Sequence, residues 1–263
     1  MLSEEQRHAA SDLLWKLWQE GRRVAALPMQ MRPSTRKEAY AVQALVEARS
    51  AHPLYGWKIA ATSLAGQRHI GVDGPMAGRL LRERARESGA QLTLGANHMR
   101  VAEPEFAFRM GQTLPARASA YRLEEVMAAV DTVHPAIEVP DSRYEDFSRV
   151  GAAQLIADNA CAHDFVLGPA ARIPWRSEDL AKRAVTGAVM SGLRREGKGA
   201  NVLGDPRVAL TWLANELSSL GIALTAGQVV TTGTCVAPLP VAPSDHVSAD
   251  FGELGSVEVR FGA

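Results

Sequence analysis

The sequence predicts an α+β protein in which an N-terminal helical subdomain, residues 1–55, precedes a larger β-rich domain, residues 56–263. Two segments with helical caps and helical apolar spacing lie within the first fifty residues. From residue 56 onward the apolar runs become short and are separated by glycine and proline, which is typical of strands and turns. The last residues alternate between apolar and polar, so we expect the chain to end in a sheet.

The two N-terminal helices are indicated by their first residues. Ser3 with Gln6, and Thr35 with Glu38, have the spacing of a capping box. An apolar stripe follows in the first helix, formed by Leu13, Leu14, Leu17 and Trp18. Prolines between the two segments predict a loop.

Two later elements are equally clear. Asp205-Pro206 is an N-cap followed by proline at the first helical position, and Gly221 ends the helix that it begins. The apolar residues of this helix are Leu210, Leu213, Leu217 and Leu220. At the C-terminus, the residues Val257, Val259 and Phe261 alternate with polar ones, which predicts a half-buried strand.

The composition favours a protein that binds a small molecule. Lys plus Arg equal Asp plus Glu at 29 each, so no net field attracts nucleic acid or an anionic membrane. The polar N-terminus and the lack of an apolar run of about 18 residues predict a cytoplasmic location. Cys161 and Cys235 lack the spacing of a redox pair, and we expect both to be reduced and at least partly buried.

Two carboxylates lie close together in the segment 103–110. As a strand, this segment places Glu103, Glu105 and Arg109 on one face, with the two glutamate Cα atoms roughly 7 Å apart. Anions this close need a counter-charge if they are sheltered from water, and a hard divalent cation with oxygen ligands is one such charge. Arg109 is a competing counter-charge, and a solvated sheet face is an equally open interpretation.

A third carboxylate, Glu138, lies between Ile137 and Val139 in a short apolar segment. If it is fully buried, an acid in this position needs a partner. The alternative is an edge strand with Glu138 in water, and the pattern alone leaves both interpretations open.

Segments along nearly the whole chain resemble the 2-keto-4-pentenoate hydratase family, within the fumarylacetoacetate hydrolase superfamily. They are 39–43, 56–59, 71–73, 103–105, 136–143, 156–160, 202–206, 212–215 and 250–257. The resemblance implies a mixed, curled β-sheet core and assembly into homo-oligomers. It also implies that residues 56–263 form the catalytic domain, in which Glu103, Glu105 and Glu138 hold Mg²⁺ or Mn²⁺.

The activity implied by the resemblance is that of a metal-dependent lyase. It would add water to a 2-hydroxy-2,4-dienoate and give a 4-hydroxy-2-oxo acid, in aromatic compound catabolism. A 4-oxalocrotonate-type decarboxylase and an acylpyruvate-type C–C hydrolase, both using the same metal site, are alternatives. An alternative of another class is a non-catalytic partner subunit of a related enzyme. Besides the small 2-oxo or 2-hydroxydienoic acid, another enzyme of the same pathway is an expected partner.

The same matching segments suggest five further site residues. Lys58 is the first candidate to carry protons, with a pKa lowered by a nearby cation and apolar walls, although an ordinary surface lysine is the alternative. Asp73 is a candidate to position Lys58 or water, although its neighbours also describe a simple turn. Ala77, Asp158 and Cys161 are the candidates for the substrate pocket. Relatives tend to have a larger residue at Ala77 and a serine at Cys161, whereas Asp158 is also explained by structural hydrogen bonds.

Motifs of other enzyme classes are absent or incomplete in this sequence. Residues 197–204 lack the spacing and the terminal Gly-Lys-Ser/Thr of a phosphate loop, and instead predict a flexible loop that could close over a pocket. Zinc-protease and serine-hydrolase motifs do not occur. Cys161 near His163 is too weak a pattern to indicate a thiol nucleophile.

Overall fold

The computed structural model describes residues 1–263 and contains six α-helices and two β-sheets. The helices are α1 (Glu4–Glu20), α2 (Arg36–Ala44), α3 (Leu64–His69), α4 (Leu123–Ala128), α5 (Ala152–Ala157) and α6 (Pro206–Ser219). The strands are β1 (Gly56–Ala60), β2 (Met76–Leu80), β3 (Ala85–Glu87), β4 (Ala90–Leu92), β5 (Val101–Met110), β6 (Val130–Val139), β7 (Asp164–Leu167), β8 (Ala184–Val189), β9 (Arg194–Lys198), β10 (Val229–Thr234), β11 (Leu239–Pro240), β12 (His246–Asp250) and β13 (Ser256–Phe261). The predicted α+β class is confirmed.

The larger sheet has eight strands in the order β2-β1-β10-β5-β6-β7-β3, with β11 attached to β5. It is mixed because β1 runs parallel to β10 and β3 runs parallel to β7, whereas the other neighbours are antiparallel. The smaller sheet has five strands in the order β4-β13-β12-β8-β9. The mixed, curled sheet implied by the resemblance is confirmed.

Strand β5 separates the core from the site. Its side chains Phe106, Phe108 and Met110 are buried, and the Phe106 ring meets the Phe251 ring edge to face at 5.0 Å. Because successive side chains of a strand point to opposite faces, Glu105 projects away from this apolar face. The predicted alternation is confirmed, and β5 uses one face for packing and the other for polar groups.

The N-terminal helices begin as predicted. At the start of α1, Ser3 Oγ accepts from Gln6 N at 3.2 Å and Gln6 Oε1 accepts from Ser3 N at 2.8 Å, which completes the capping box. At α2, Thr35 Oγ1 accepts from Glu38 N at 3.2 Å, but the Glu38 carboxylate accepts from Leu2 N and from Ser34 instead. Glu38 therefore connects the start of α1 to α2.

The chain before Gly56 contains helices and turns, and β1 begins at Gly56. Leu14 and Tyr40 from this helical part nevertheless belong to the same cluster of 54 buried residues as Trp57 and Ile156. The buried core is therefore continuous across the boundary, and the division at residues 55 and 56 stays a prediction.

The later predicted elements are also confirmed. Asp205 accepts from Arg207 N at 2.8 Å and caps α6, while Gly221, with φ of 76°, lies just beyond its end. Along β13 the side chains alternate between buried and accessible. Both cysteines are free and buried. None of the helices is long and apolar enough to cross a membrane.

The glycine-rich segment 197–204 differs from its prediction. It contains the end of β9 and a helical turn, Gly199–Asn201. A Cβ atom on Gly197 would lie 2.0 Å from Cys235 O, and one on Gly199 would lie 1.9 Å from Leu180 O. The prediction of a flexible loop is therefore wrong for this part, where glycine allows close backbone packing instead.

Candidate metal and substrate site

The register between β5 and β6 brings three glutamates together. Glu103 pairs directly with Glu138 across the two antiparallel strands, and Glu105 lies two residues further along the same face of β5. One carboxylate oxygen from each of the three lies within 4.8 Å of the others. Glu105 and Glu138 are buried and Glu103 is partly buried. Because β6 lies between β5 and β7, the edge-strand interpretation of Glu138 is wrong.

Lys58 is the cation of this cluster. It extends from β1, and its Nζ lies 3.0 Å from Glu138 Oε1 and donates to Ala160 O at 3.0 Å. Arg109, the competing counter-charge, donates to Gly227 O at 3.2 Å instead. The side chain of Lys58 is only 4% exposed, so the surface-lysine interpretation is wrong.

Glu105 is held by two donors on β10. Its Oε2 accepts from Thr231 Oγ1 at 2.5 Å and from Gly233 N at 2.8 Å. Gly233 lies in the irregularity between Thr231 and Thr234, with φ of 96°, and a Cβ atom there would lie 2.0 Å from Thr62 Oγ1. Only glycine suits this position. Sequence reasoning did not find these two residues, although a glycine within a strand pattern is a signal of such a bulge.

The remaining carboxylate oxygens lack hydrogen-bond donors. Glu105 Oε1 and both oxygens of Glu138 are buried without a hydrogen-bond partner, since Lys58 approaches Glu138 as an ion pair outside hydrogen-bond geometry. Three carboxylates and one ammonium leave a formal charge of −2, which one divalent cation neutralises. Unsatisfied buried oxygens of Glu105 and Glu138, together with the adjacent carboxylate of Glu103, offer the hard oxygen ligands that a divalent cation prefers, so the residues present fit such a metal.

The pKa values of the three glutamates are raised because their carboxylates are buried close together. Burial, followed by the charge of Glu138, raises the pKa of Glu103 to about 7. Burial also raises the pKa of Glu105 well above its usual range, and it raises that of Glu138 despite the opposing charge of Lys58. Carboxylates in this arrangement bind protons when no cation neutralises them.

The pKa of Lys58 is shifted by two opposing effects. Burial lowers it, but the charges of the surrounding acidic groups, Glu138 and then Glu103 foremost, outweigh burial and raise the pKa above its ordinary value. This direction describes the carboxylates without a bound cation, so the expectation of a pKa lowered by a nearby cation stays a prediction. A cation on those carboxylates would act in the opposite direction.

The turn at 159–161 positions Lys58 and one wall of the site. Asn159, Ala160 and Cys161 have φ values of 54°, 49° and 62°, a left-handed run that is uncommon for residues other than glycine. Asn159 supports the turn, because its Oδ1 accepts from Arg79 N at 2.6 Å and its Nδ2 donates to Arg79 O at 2.8 Å. The turn directs Ala160 O toward Lys58.

A cavity of about 720 Å³ adjoins the cluster. Lys58, Glu103, Glu105 and Cys161 line it, and Glu138 is not among the lining residues. More than half of the 27 lining residues are hydrophobic, including Ile70, Met76, Met99, Val101, Phe147 and Leu155. The site therefore combines a polar end with extended apolar walls, as small-molecule pockets do.

Of the other candidates, only Cys161 lines the cavity. Asp73 is exposed in the turn before β2 and is not among the lining residues. Ala77 is fully buried in the core, where its backbone bonds with Tyr40 and Gln43, so it is not placed in the pocket.

Asp158 is structural in this arrangement. Its carboxylate pairs with Arg143 and accepts from Ser142 Oγ at 2.8 Å, which agrees with the structural alternative for this residue. Burial, then the charge of Asp158, raises the pKa of the Cys161 thiol to about 12. His163 Nδ1 accepts from Trp18 Nε1 at 2.7 Å, so this histidine nitrogen is engaged away from Cys161.

Fold and site together define an α+β protein with a cluster of three carboxylates on a mixed sheet that could hold a metal ion. Residues 81–261 match the family model of the fumarylacetoacetate (FAA) hydrolase C-terminal domain. The chain is 30% identical to a 2-keto-4-pentenoate hydratase of Paraburkholderia xenovorans, over 99% of this chain and 96% of that protein. A 4-oxalocrotonate decarboxylase of a Pseudomonas species is 32% identical, over 85% of this chain and 84% of that protein.

Solved structures agree with these matches. A 4-oxalocrotonate decarboxylase from Pseudomonas putida G7, complexed with magnesium and adipate, superposes with a TM-score of 0.90 at 29% identity, covering 99% of each chain. The same enzyme complexed with calcium and acetate gives a TM-score of 0.87 at 30% identity, again covering 99% of each chain. The chain therefore belongs to the fumarylacetoacetate hydrolase family, in the branch of the 2-keto-4-pentenoate hydratases.

Proposed function

We propose that this chain is a metal-dependent hydratase that converts a 2-hydroxy-2,4-dienoate into a 4-hydroxy-2-oxo acid, as part of aromatic compound catabolism. The observation that carries the proposal is the group of three glutamates beside Lys58, in which buried oxygens of Glu105 and Glu138 lack hydrogen-bond donors and Glu103 and Glu105 line a large cavity. Curated relatives with hydratase names, at about one-third identity over most of the chain, support the same reaction.

Glu103, Glu105 and Glu138 would hold Mg²⁺ or Mn²⁺, both of which suit carboxylate ligands. When bound, the ion supplies a Lewis acid that orients a 2-oxo acid and stabilises negative charge on its 2-oxygen. Thr231 and Gly233 keep Glu105 in a single orientation by bonding one of its two oxygens. The other oxygen of Glu105 is thereby left free for the ion.

Lys58 would move protons at the substrate. In the first step, the 2-hydroxyl proton leaves and a proton is added at C5, which gives the conjugated 2-oxo-3-enoate. In the second step, water adds its oxygen at C4 and a proton is added at C3. The ammonium group of Lys58 is buried at the wall of the cavity, within reach of a bound substrate, and general acid–base groups contribute roughly 10²–10⁴-fold.

The direct test is hydration of 2-hydroxypenta-2,4-dienoate, followed by the loss of its ultraviolet absorption with Mg²⁺ present. We expect turnover by the wild type, and losses of at least about 10²-fold for Glu105→Gln and Lys58→Met. Glu87→Gln, which changes an exposed glutamate on the same sheet, is the control and should retain activity. Failure to hydrate any short dienoate with metal supplied would contradict the proposal.

A second candidate is decarboxylation, because a 4-oxalocrotonate decarboxylase has the TM-score of 0.90 given above. The same metal site would then stabilise the enolate that forms when carbon dioxide leaves. An assay with 4-oxalocrotonate as the substrate distinguishes decarboxylation from hydration. Release of carbon dioxide faster than dienoate hydration would favour the decarboxylase.

We also propose that the chain forms a homo-oligomer and binds another enzyme of the same pathway, as the resemblance implied. Sedimentation velocity on the purified chain would measure its oligomeric state. Co-purification with an enzyme that produces or consumes the dienoate would test the second.

A further inference from the structure

We infer that the substrate of this site carries an uncharged, apolar tail longer than that of a five-carbon dienoate, and that a second carboxylate on the tail is selected against. This inference rests on the proposed binding of a 2-oxo or 2-hydroxydienoic acid at the three glutamates. It concerns the part of the substrate that points away from them.

The walls of the cavity consist largely of carbon surface. Ile70, Met76, Met99, Phe147 and Leu155 all line it, and they come from separate segments of the chain. The Phe147 ring also packs at 6.2 Å against the ring of His69, an exposed lining residue. These walls offer a tail extensive hydrophobic contact.

The cavity volume is larger than a five-carbon acid requires. About 720 Å³ lies within the range of about 300–1,000 Å³ that is usual for drug-sized ligands. Several additional methylene groups therefore fit. Each one buried against these walls should tighten binding about threefold to fourfold.

A negative charge at the far end of the substrate tail would find few basic side chains with which to pair. Lys58 is the only lysine or arginine among the lining residues, and it already pairs with Glu138, one of the three proposed metal ligands. A terminal carboxylate would leave water for a largely apolar wall, where the imidazole of His69 is the one other basic side chain in the lining. Burial of an unpaired carboxylate is strongly unfavourable.

Met99 is the position used to test this preference, and Val101 shows how near this wall lies to the proposed metal ligands. Val101 is on β5 two residues before Glu103, so both side chains share one face of the strand at roughly 7 Å Cα spacing. Met99 precedes the strand, lines the cavity and is partly exposed. An arginine at position 99 can therefore extend along the wall and keep its charge near water.

The experiment is isothermal titration of the full chain, with Mg²⁺ present, by unreactive 2-oxo acids. The 2-oxopentanoate, 2-oxohexanoate and 2-oxooctanoate series varies the tail length, and 2-oxoadipate replaces the terminal methyl group of 2-oxohexanoate by a carboxylate. We expect affinity to rise along the series and 2-oxoadipate to bind roughly tenfold or more weakly than 2-oxohexanoate. Met99→Arg should narrow that ratio, and Met99→Leu should leave it unchanged.

Three outcomes would overturn the inference: equal or tighter binding of 2-oxoadipate by the wild type, no gain with tail length, or no binding of any 2-oxo acid. The hydration assay separates this inference from the proposed reaction. Dienoate turnover with a reversed tail preference contradicts only the substrate class. The expected tail preference without dienoate turnover contradicts only the reaction.

Discussion

Replacing Thr231 by valine tests whether the anchoring of Glu105 controls metal binding. Thr231 is fully buried, and its Oγ1 donates to Glu105 Oε2 at 2.5 Å. Valine keeps a similar branched shape but removes the donor. Glu105 then retains only the Gly233 N–H bond, at 2.8 Å, and gains freedom to turn away from the metal position.

The expected loss of Mg²⁺ affinity in Thr231→Val follows from the hydrogen bond that the substitution removes. A hydrogen bond to a charged group contributes about 1.5–3 kcal/mol. At about 1.4 kcal/mol per factor of ten, this corresponds to a loss in Mg²⁺ affinity of roughly 10–100-fold. The removal of groups that orient a metal ligand in other proteins has an effect of the same order, about 10–100-fold.

Mg²⁺ affinity measured by calorimetry is the assay, and Thr232→Val is the matched control. Thr232 is equally buried, but its Oγ1 donates to Phe106 O at 3.0 Å and points to the opposite face of β10. Both variants should melt at a lower temperature, whereas only Thr231→Val should bind Mg²⁺ more weakly. Unchanged affinity in Thr231→Val, or equal losses in both variants, would refute this reasoning.

Three further predictions concern groups around the site. Asp158→Asn leaves the buried guanidinium of Arg143 without its carboxylate and should cost about 3–5 kcal/mol of unfolding free energy, so an unchanged melting temperature would contradict the structural role. Cys161→Ser should lower kcat by less than about tenfold, because a thiol with a pKa near 12 is neutral and takes no proton-transfer role; a loss above 10²-fold would contradict this. Burial, then nearby arginine charges, lowers the pKa of His163 to about 3, whereas the unfolded chain protonates near pH 6.5. The unfolding free energy should therefore decrease as the pH falls from about 6.5 toward 3, and urea titrations of His163→Gln, which also loses the Trp18 bond, should lack this part of the decrease.

Local patterns predicted much of the fold. The capping box at Ser3, the Asp205 cap of α6 and the alternation of β13 are all present, because each depends on residues a few positions apart. The pairing of Glu103 and Glu105 on one face of β5 is local in the same sense, since it follows from the period of two.

The residues that meet Glu103 and Glu105 in the site could not be predicted in this way, because they come from distant segments of the chain. Glu138 faces Glu103 because of the β5–β6 register, and Lys58 reaches Glu138 from β1, on the far side of β10 from β5. No spacing within one segment encodes such a register. The family resemblance supplied these assignments, and it also suggested Asp73 and Ala77, which the structure places outside the cavity.

The sequence by itself determined α1, α2, α6 and β13 and the shared face of Glu103 and Glu105, because these follow from the short-range geometry of helix and strand. Only the tertiary structure decided that Glu138 is interior, that Lys58 and not Arg109 is the neighbouring cation, and that Thr231 and Gly233 orient Glu105. The physical reason is that burial and electrostatic environment are set by strand order and register across many residues of chain.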